Sequence, residues 1–189
     1  LCRLSTSKIL SEFSKLYTNL MRAVPLVLVL FWFFLLMPEV LKVLLGLDHP
    51  VMIGAEMTAI ITFVLFEAAY FAEIMRAGIQ SVSKGQMSAA MALGLRYGQT
   101  MRYVILPQAM STSVPAFVAN VIFLLKETSV FSAISLMDLM FTAKDLIGLY
   151  YKTTESLFLL VVFYLLILLP VSLLGSLLER RLRYAGFGA

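Results

Sequence analysis

Four long apolar segments dominate this sequence and restrict the folds that it can adopt. They lie at about residues 23–45, 51–74, 104–125 and 157–178. A helix that crosses a membrane needs roughly 20 mostly apolar residues, and each segment is long enough. Since 61% of the 189 residues are apolar and only 14% are charged, one soluble core could not bury them. We therefore predict an all-α polytopic membrane protein with four spans.

The positions of the basic residues predict the orientation of these spans. Most of the 15 Lys and Arg residues lie in a head (1–22), in the loop between the second and third spans (77–103) and in a tail (179–189). An even number of spans places all three segments on one side of the membrane. The positive-inside rule assigns that side to the cytoplasm, so the C terminus is predicted to be cytoplasmic.

Residues 126–156 then form the connection on the outer side. Within this segment Val130, Ile134, Met137 and Phe141 follow helical spacing, which predicts one helix. Because that helix is too short to cross, we interpret the segment as re-entrant or as lying on the outer surface. The sequence contains no internal repeat and no linker rich in Pro, Gly or Ser, so residues 1–189 are predicted to form a single transmembrane domain.

Several chemistries are excluded by the residues that the sequence lacks. Cys2 and His49 are the only residues of their types, which leaves no cysteine-rich or histidine-based metal or catalytic site. No G-x-x-x-x-G-K-[ST] phosphate loop is present, so this chain is not expected to bind ATP. The basic residues form no stripe with interleaved aromatic residues, which argues against a nucleic-acid partner. We predict no catalytic residue, no metal and no cofactor in this chain.

The loop between the second and third spans is predicted to contain a short rigid helix at 84–93. Ser83 and Gln86 have the spacing of a capping box, and Gly94 is placed to end the helix in a left-handed turn. The apolar face of this helix comprises Met87, Ala90 and Met91. Its alanines leave it slim enough to enter a groove of another protein, and a second short helix is predicted at about 99–103. Taken alone, the loop also fits an amphipathic helix that lies on the bilayer.

The spacing within this loop resembles that of importer permeases of the ABC class. Their loop is written E-A-A, three residues, G, nine residues and then I-x-L-P. This chain has S-A-A at 88–90, Gly94, and V-I-L-P at 104–107, with the same spacing throughout. Further matches extend the resemblance to the polar amino acid branch of that family. They lie at residues 67–70, 73–78, 85–94 and 126–129.

The resemblance implies the transmembrane-domain core of a type I ABC importer, which usually has five spans, so we expect one more span before Leu1. It also assigns the contact with the ATPase to eight residues of the loop. They are Gly85, Gln86, Ser88, Ala89, Ala90, Gly94, Leu106 and Pro107. Ser88 stands where the family usually has Glu, so a charge contact to the ATPase is missing or moved.

The same resemblance implies the partners of this chain and its place in a bacterial inner (cytoplasmic) membrane. The partners are a cytoplasmic dimer of ABC ATPases that holds ATP and Mg²⁺, a second homologous permease or a second copy of this chain, a periplasmic or extracellular amino-acid-binding protein, and membrane lipid. ATP binding would draw the ATPases together, and the helix at 84–93 would follow as a rigid body. The spans would then alternate between inward-facing and outward-facing states.

The start of the first span, residues 22–33, is similar to glutamate/aspartate permease subunits, which suggests an acidic amino acid as the solute. Five polar residues are candidates for the substrate pathway: Glu67, Asn120, Lys126, Thr128 and Ser129. Lys126 would meet the side-chain carboxylate of the solute and Glu67 its amino group, because ionisable groups at membrane depth are usually functional. In the alternative interpretation, Lys126 and Glu127 mark the water boundary and Glu67 bonds a neighbouring helix. Thr128 and Ser129 then cap the outer helix.

Other functions stay open at this point. The solute could be another polar or basic amino acid. A secondary transporter would move its solute without ATP or an ATPase partner, and a purely structural membrane subunit would move no solute. A membrane-embedded enzyme is disfavoured, because no predicted span contains His or Cys.

Overall fold

The computed structural model describes residues 7–182, and every regular element within that range is helical. Within residues 7–182, four helical segments are long and apolar enough to cross a membrane. They are Leu26–Leu45, Ala55–Ser81, Tyr97–Ile134 and Thr153–Arg181. The predicted all-α fold with four spans is thus confirmed. Cys2 and Arg3 in the head, and Arg183 in the tail, lie outside the described residues.

The first span begins slightly later than predicted and is built from consecutive helical pieces. The elements are α1 (Lys8–Ala23), α2 (Leu26–Phe31), a π-helical turn (Trp32–Leu36) and α3 (Met37–Leu45). Pro25 separates α1 from the span, because its backbone is extended (φ −60°, ψ 140°). Pro38 has no amide hydrogen to donate, and a widened helical turn accommodates such a gap. Gly46 ends α3 with a left-handed backbone (φ 63°).

The second and third spans are joined by a short helix and a continuous helical entry into the third. The elements are α4 (Ala55–Ser81), α5 (Lys84–Ala92), α6 (Tyr97–Thr100), a π-helical turn (Met101–Ile105) and α7 (Leu106–Glu127). The helix predicted at about 99–103 is confirmed, and it leads into the third span: α6 continues through the π-helical turn into α7. Pro107 removes one amide donor, and the turn before it widens without breaking the helix. The third span therefore begins at Tyr97 rather than near residue 104.

Two separate elements lie between the third and fourth spans. They are a 3₁₀ helix (Thr128–Ile134) and α8 (Leu139–Tyr150), and the fourth span, α9 (Thr153–Leu182), follows them. The single helix predicted from Val130 to Phe141 is wrong. Ser135 ends the 3₁₀ helix with a left-handed backbone (φ 62°). Asp138 then begins α8, because its Oδ1 accepts a hydrogen bond from the Phe141 amide at 2.5 Å.

The residues of the chain divide into two compact units. One takes its described residues from Leu1–Thr18, Ala69–Ile122 and Pro170–Ala189, and the other comprises Asn19–Ala68 and Phe123–Leu169. In the first unit the rings of Phe71 and Phe117 stack with centroids 5.3 Å apart. Also in this unit, α9 approaches α7 closely at Gly175, where a side-chain carbon would lie 2.3 Å from Val118 Cγ1. Glycine therefore allows the closest approach of these two helices.

The second unit has its own apolar core. Leu30 of the first span and Ala59 of α4 are buried together with Phe131 and Ile134 of the 3₁₀ helix. The Phe63 ring lies against Phe131, with centroids 4.8 Å apart. This packing anchors the 3₁₀ helix to the first two spans, so that the polar residues of Thr128–Ile134 are held in fixed positions.

The fourth span differs from the other three because the chain buries none of its most apolar window. The corresponding window of the second span is 33% buried. Large apolar surfaces of this kind are stable only when lipid or a neighbouring subunit covers them.

Candidate functional site

Helix α5, between the second and third spans, has a capped start. Ser83 precedes it with a non-helical backbone (ψ 134°), and the Ser83 hydroxyl accepts a hydrogen bond from the Gly85 amide at 3.3 Å. The Gln86 amide donates to the Ser83 carbonyl at 3.0 Å. The predicted start at Ser83 is confirmed. The reciprocal side-chain bond of a capping box occurs one helix later, where Gln99 Oε1 accepts from the Arg96 amide at 2.9 Å.

The end of α5 is a Schellman turn built around Gly94. The backbone of Gly94 is left-handed (φ 85°), and glycine adopts this conformation without steric strain. The Gly94 amide donates to the Met91 carbonyl at 3.0 Å, and the Leu95 amide donates to the Ala90 carbonyl at 3.2 Å. The predicted left-handed end is confirmed, and local hydrogen bonds therefore fix both ends of α5.

Most residues of α5 are accessible. Ala90 is the buried residue of this helix, with 5% of its surface exposed. Gly85, Gln86, Ser88 and Ala89, which were predicted to contact an ATPase, are all exposed. A partner protein therefore has access to small and polar side chains along α5, while Ala90 holds the helix to its own chain.

Two large apolar side chains are exposed at the end of α5. Met91 is 50% exposed and Leu93 is 85% exposed. Met91 was predicted to lie on the same apolar face as Ala90, but only Ala90 of the two is buried, so this face is only partly covered by the chain. Exposed apolar residues of this kind are typical of a protein interaction surface. Ser88, which replaces the usual Glu, donates from its hydroxyl to the Lys84 carbonyl at 3.4 Å and so turns back onto its own helix.

The last two predicted loop residues lie at the entry to the third span. Leu106 is the first residue of α7 and Pro107 the second, and both are partly buried. Ile105, just before them, is buried. Leu106 and Pro107 therefore belong to the transition between loop and span, and the accessible surface is provided by α5.

The second and third spans touch closely beside this loop. At Gly78 on α4, a side-chain carbon would lie 1.9 Å from Ser113 Oγ and 2.8 Å from the Ala109 carbonyl oxygen on α7. The Ser113 hydroxyl donates to the Ile74 carbonyl at 3.5 Å. Small residues in backbone contact are typical of helix association in membranes. We refer to Gly78, Ala109 and Ser113 as the tight crossing.

An ion pair lies just before the tight crossing on α4. Arg76 donates from Nε to Glu73 Oε2 at 2.9 Å and from a second guanidinium nitrogen to Oε1. Arg76 also donates to the Gln80 side chain. Glu73 and Arg76, three positions apart, therefore form an ion pair on one face of α4. Each charge of the pair is satisfied on one helix face, which reduces the penalty of placing them near lipid.

The predicted substrate-pathway residues occupy different environments. Glu67 on α4 is buried, with 6% of its surface exposed, whereas Lys126 is exposed in the last turn of α7. Asn120 is partly buried and belongs to the first unit, while the other four candidates belong to the second.

Thr128 and Ser129 begin the 3₁₀ helix. The Thr128 hydroxyl donates to the Leu125 carbonyl at 2.8 Å. Glu127 precedes the 3₁₀ helix without a side-chain capping bond, and Asp138 caps α8, so the alternative in which Thr128 and Ser129 cap the outer helix is wrong. The Tyr164 hydroxyl on α9 lies near the side chains of Thr128 and Ser129 and near the Asp138 carboxylate. The structure thus brings two predicted residues to a polar site that the sequence analysis did not identify.

Lys144 and Ser132 complete this site. Lys144 Nζ donates to Ser132 Oγ at 2.9 Å, and Ser132 Oγ donates to the Ser129 carbonyl at 2.8 Å. Within residues 7–182, Asp138 Oδ2 is a buried oxygen without a hydrogen-bond partner. We name the site the hydroxyl cluster, and it comprises Thr128, Ser129, Ser132, Asp138, Lys144 and Tyr164. An Asp directly before an apolar helix is a recognisable capping signal, but it was hidden by the interpretation of this segment as one helix.

The described residues include no group of three or more His, Cys, Asp or Glu side chains that could hold a metal ion.

The sequence matches the family of binding-protein-dependent transport system inner membrane components over residues 1–184. The chain belongs to this family. This permease chain is 44% identical over 180 residues to the glutamate/aspartate import permease protein GltK of Escherichia coli, which covers 95% of this chain and 80% of that protein.

Two further likenesses support the same assignment. The permease chain is 35% identical over 183 residues to the arginine transport system permease protein ArtQ of Bacillus subtilis, with 97% and 80% of the two chains covered. A crystal structure of an amino acid ABC transporter with histidines matches with a TM-score of 0.84 and 32% identity, over 95% of this chain and 80% of the other. The resemblance to ABC importer permeases of the polar amino acid branch, found in the sequence, is confirmed. This chain is therefore a multi-pass permease subunit of an amino acid ABC importer.

Proposed function

We propose that this chain is the non-catalytic permease subunit of an ATP-driven importer of glutamate and aspartate. In the proposed complex, a cytoplasmic dimer of ABC ATPases binds ATP and Mg²⁺ and hydrolyses the ATP. A second homologous permease, or a second copy of this chain, completes the pathway, and a binding protein delivers the amino acid from the other side. The observation that carries the proposal is the accessible helix α5, capped at both ends in a member of this permease family.

The proposed coupling uses α5 as a rigid contact for the ATPase. Gly85, Gln86, Ser88 and Ala89 are accessible to it, and Leu93 offers an exposed apolar side chain. In this proposal Gly94 fixes the direction in which the chain leaves α5. The less exposed residues Ala90, Leu106 and Pro107 connect α5 to the spans. The tight crossing would then transmit the movement of α5 to the second and third spans. At this crossing the backbones of α4 and α7 are too close for the two helices to slide past each other.

The coupling proposal is tested by placing a bulky side chain on the exposed face of α5. Ala89→Trp should greatly reduce the amount of ATPase that co-purifies with the permease, while insertion into the membrane stays normal. Ala89 is a better test position than Ala90, because Ala90 is buried and its enlargement would also disturb this chain. The matched control is Ala72→Leu, at an exposed alanine of α4 outside the loop. Unchanged co-purification with Ala89→Trp contradicts the coupling role.

The proposed solute is supported by the likeness to GltK and by the chemistry of the hydroxyl cluster. An acidic amino acid carries two carboxylates and one ammonium group. Lys144, already oriented by Ser132 at 2.9 Å, offers a cation for one carboxylate. The buried Asp138 Oδ2 offers an acceptor for the ammonium group. In this proposal Thr128 and Ser129 line the site, and Glu67, Asn120 and Lys126 lie along the rest of the pathway.

Replacing the Lys144 ammonium tests the proposed solute. Lys144→Met should lower glutamate uptake by the assembled importer about tenfold or more, because a charge-assisted hydrogen bond is lost. Lys144→Arg, which keeps the charge, should retain most of the uptake.

Unlabelled aspartate should compete with glutamate for uptake, and unlabelled arginine should not. Competition by arginine alone would support a basic amino acid as the solute, the alternative that the likeness to ArtQ favours. Uptake without ATP or ATPase would support a secondary transporter.

A further inference from the structure

The proposed binding of the solute requires access to an atom that this structure buries. Asp138 Oδ2, the proposed acceptor for the ammonium group, is buried, and none of the described residues 7–182 forms a hydrogen bond with it. A buried acceptor without a partner is energetically costly, and a solute can reach this oxygen only if a neighbouring element moves. The packing around Asp138 indicates which element that is.

Helix α8, which Asp138 begins, is held by few buried side chains. Ala143, 5% exposed, is the buried residue of this helix, and α8 lies against the 3₁₀ helix. The 3₁₀ helix itself buries Phe131, Ser132 and Ile134. Because elements with few buried contacts open at the lowest free energy, α8 can move while the 3₁₀ helix stays in place.

Both ends of α8 carry a backbone that can act as a hinge. Ser135, before the helix, and Tyr151, after it, have left-handed backbones with φ of 62° and 57°. Within residues 7–182 they are the residues other than glycine with this conformation, which a side chain makes unfavourable. Hinges are typically residues at the ends of elements that absorb a change of backbone angles. Relaxation at Ser135 and Tyr151 therefore favours a movement of α8 as a rigid body.

A side-chain hydrogen bond opposes this movement. Lys144 on α8 donates from Nζ to Ser132 Oγ on the 3₁₀ helix at 2.9 Å. The Ser132 hydroxyl proton is donated to the Ser129 carbonyl at 2.8 Å, so its oxygen remains available as an acceptor for Lys144. Ser132 is buried, whereas Lys144 is exposed and accessible to a solute. Because an ammonium group binds a carboxylate more strongly than a neutral hydroxyl, a solute carboxylate can displace Ser132.

We propose, on the basis of the function proposed above, that α8 is a lid over the hydroxyl cluster and that the Lys144–Ser132 bond holds this lid closed. A carboxylate of the amino acid opens the lid when it replaces Ser132 as the partner of Lys144. Asp138 moves with α8, because its Oδ1 accepts a hydrogen bond from the Phe141 amide of that helix. The movement exposes Asp138 Oδ2 to the ammonium group of the same solute.

A cysteine at the buried position of α8 reports the opening of the lid. The assembled importer in lipid nanodiscs carries Cys2→Ser, which removes the only cysteine of the sequence, together with Ala143→Cys. The rate at which a charged maleimide labels this chain is measured by mass spectrometry. Leu149→Cys, at a position of the same helix that is 65% exposed, gives the rate for an open site. Ala59→Cys, at a position 4% exposed in the core of the second unit, reports general loosening.

Removing either partner of the Lys144–Ser132 bond should open the lid. Ser132→Ala and Lys144→Met should each speed the labelling of Ala143→Cys about tenfold or more, because a hydrogen bond to a charged group is lost. Labelling of Leu149→Cys should not change, and Ala59→Cys should stay unlabelled. Unchanged labelling of Ala143→Cys in both variants overturns the proposal, and so does labelling of Ala59→Cys at the same increased rate.

Glutamate tests the release of the lid by the solute. Saturating glutamate should speed the labelling of Ala143→Cys when Lys144 and Ser132 are both present. It should have no further effect in Ser132→Ala, where the bond is already absent. A rate that glutamate does not change overturns the release step. Loss of glutamate uptake in Lys144→Met with unchanged labelling would overturn the lid and leave the proposed solute standing, so the two proposals fail separately.

Discussion

The two connections on either side of the third span are stabilised in different ways. Helix α5 is fixed by hydrogen bonds between near neighbours, such as Ser83 with Gly85 and Gly94 with Met91. The 3₁₀ helix is fixed by the burial of Phe131 against residues of the first and second spans. A locally stabilised helix keeps its shape when its surroundings move, as a rigid contact for a partner must. A segment anchored in a core keeps its polar groups in register with that core, as a binding site requires.

The largest expected effect comes from removing the anchor of the second connection. Phe131→Ala should destabilise the chain by about 3 kcal/mol or more, because it leaves a cavity in the core of the second unit. Thermal unfolding of the purified importer measures this loss. If the two connections are independent, the ATPase should still co-purify with this variant while solute uptake falls. Loss of both properties would show that the connections depend on each other.

A smaller effect is expected when the tight crossing is enlarged. Gly78→Ala places a methyl group against Ser113 Oγ and the Ala109 carbonyl, and such overpacking costs about 1–3 kcal/mol. The ATPase should still bind, but solute should stimulate ATP hydrolysis less, which an ATPase assay in vesicles measures. Gly148→Ala is the matched control, because nothing lies within 4 Å of a side chain added there. Normal stimulation in Gly78→Ala would argue against transmission through this crossing.

The smallest effect is expected at the end of α5. Gly94→Ala forces a side chain into a left-handed backbone, which costs about 1–2 kcal/mol. The Schellman turn should loosen and the ATPase should dissociate from the permease more readily, while thermal unfolding of the spans changes little. Gly98→Ala, in the open space of α6, serves as the control and should leave the association unchanged. A Gly94→Ala importer with normal ATPase association would show that α5 does not need a fixed exit.

The same contrast explains which features could be predicted from the sequence. Ser83 and Gly94 were identifiable because the residue type itself determines a cap or a left-handed turn. The left-handed turn at Ser135 carries no such signal, since serine rarely adopts this conformation. The hydroxyl cluster joins Tyr164 of the fourth span to residues more than thirty positions earlier, and helical periodicity contains no information about such contacts. The spans themselves were predictable because their length and apolar composition are required by the bilayer.

The apolar surface of α9, which no other part of the described chain buries, has a consequence for how the chain inserts into the membrane. This helix is the most apolar of the four spans, and none of its most apolar window needs another part of the chain as cover. We therefore expect it to be stable in lipid as an independent element and to dock onto α7 at Gly175 in a later step. We expect the C-terminal end of the chain to be anchored in the bilayer before the remaining helices have found their partners.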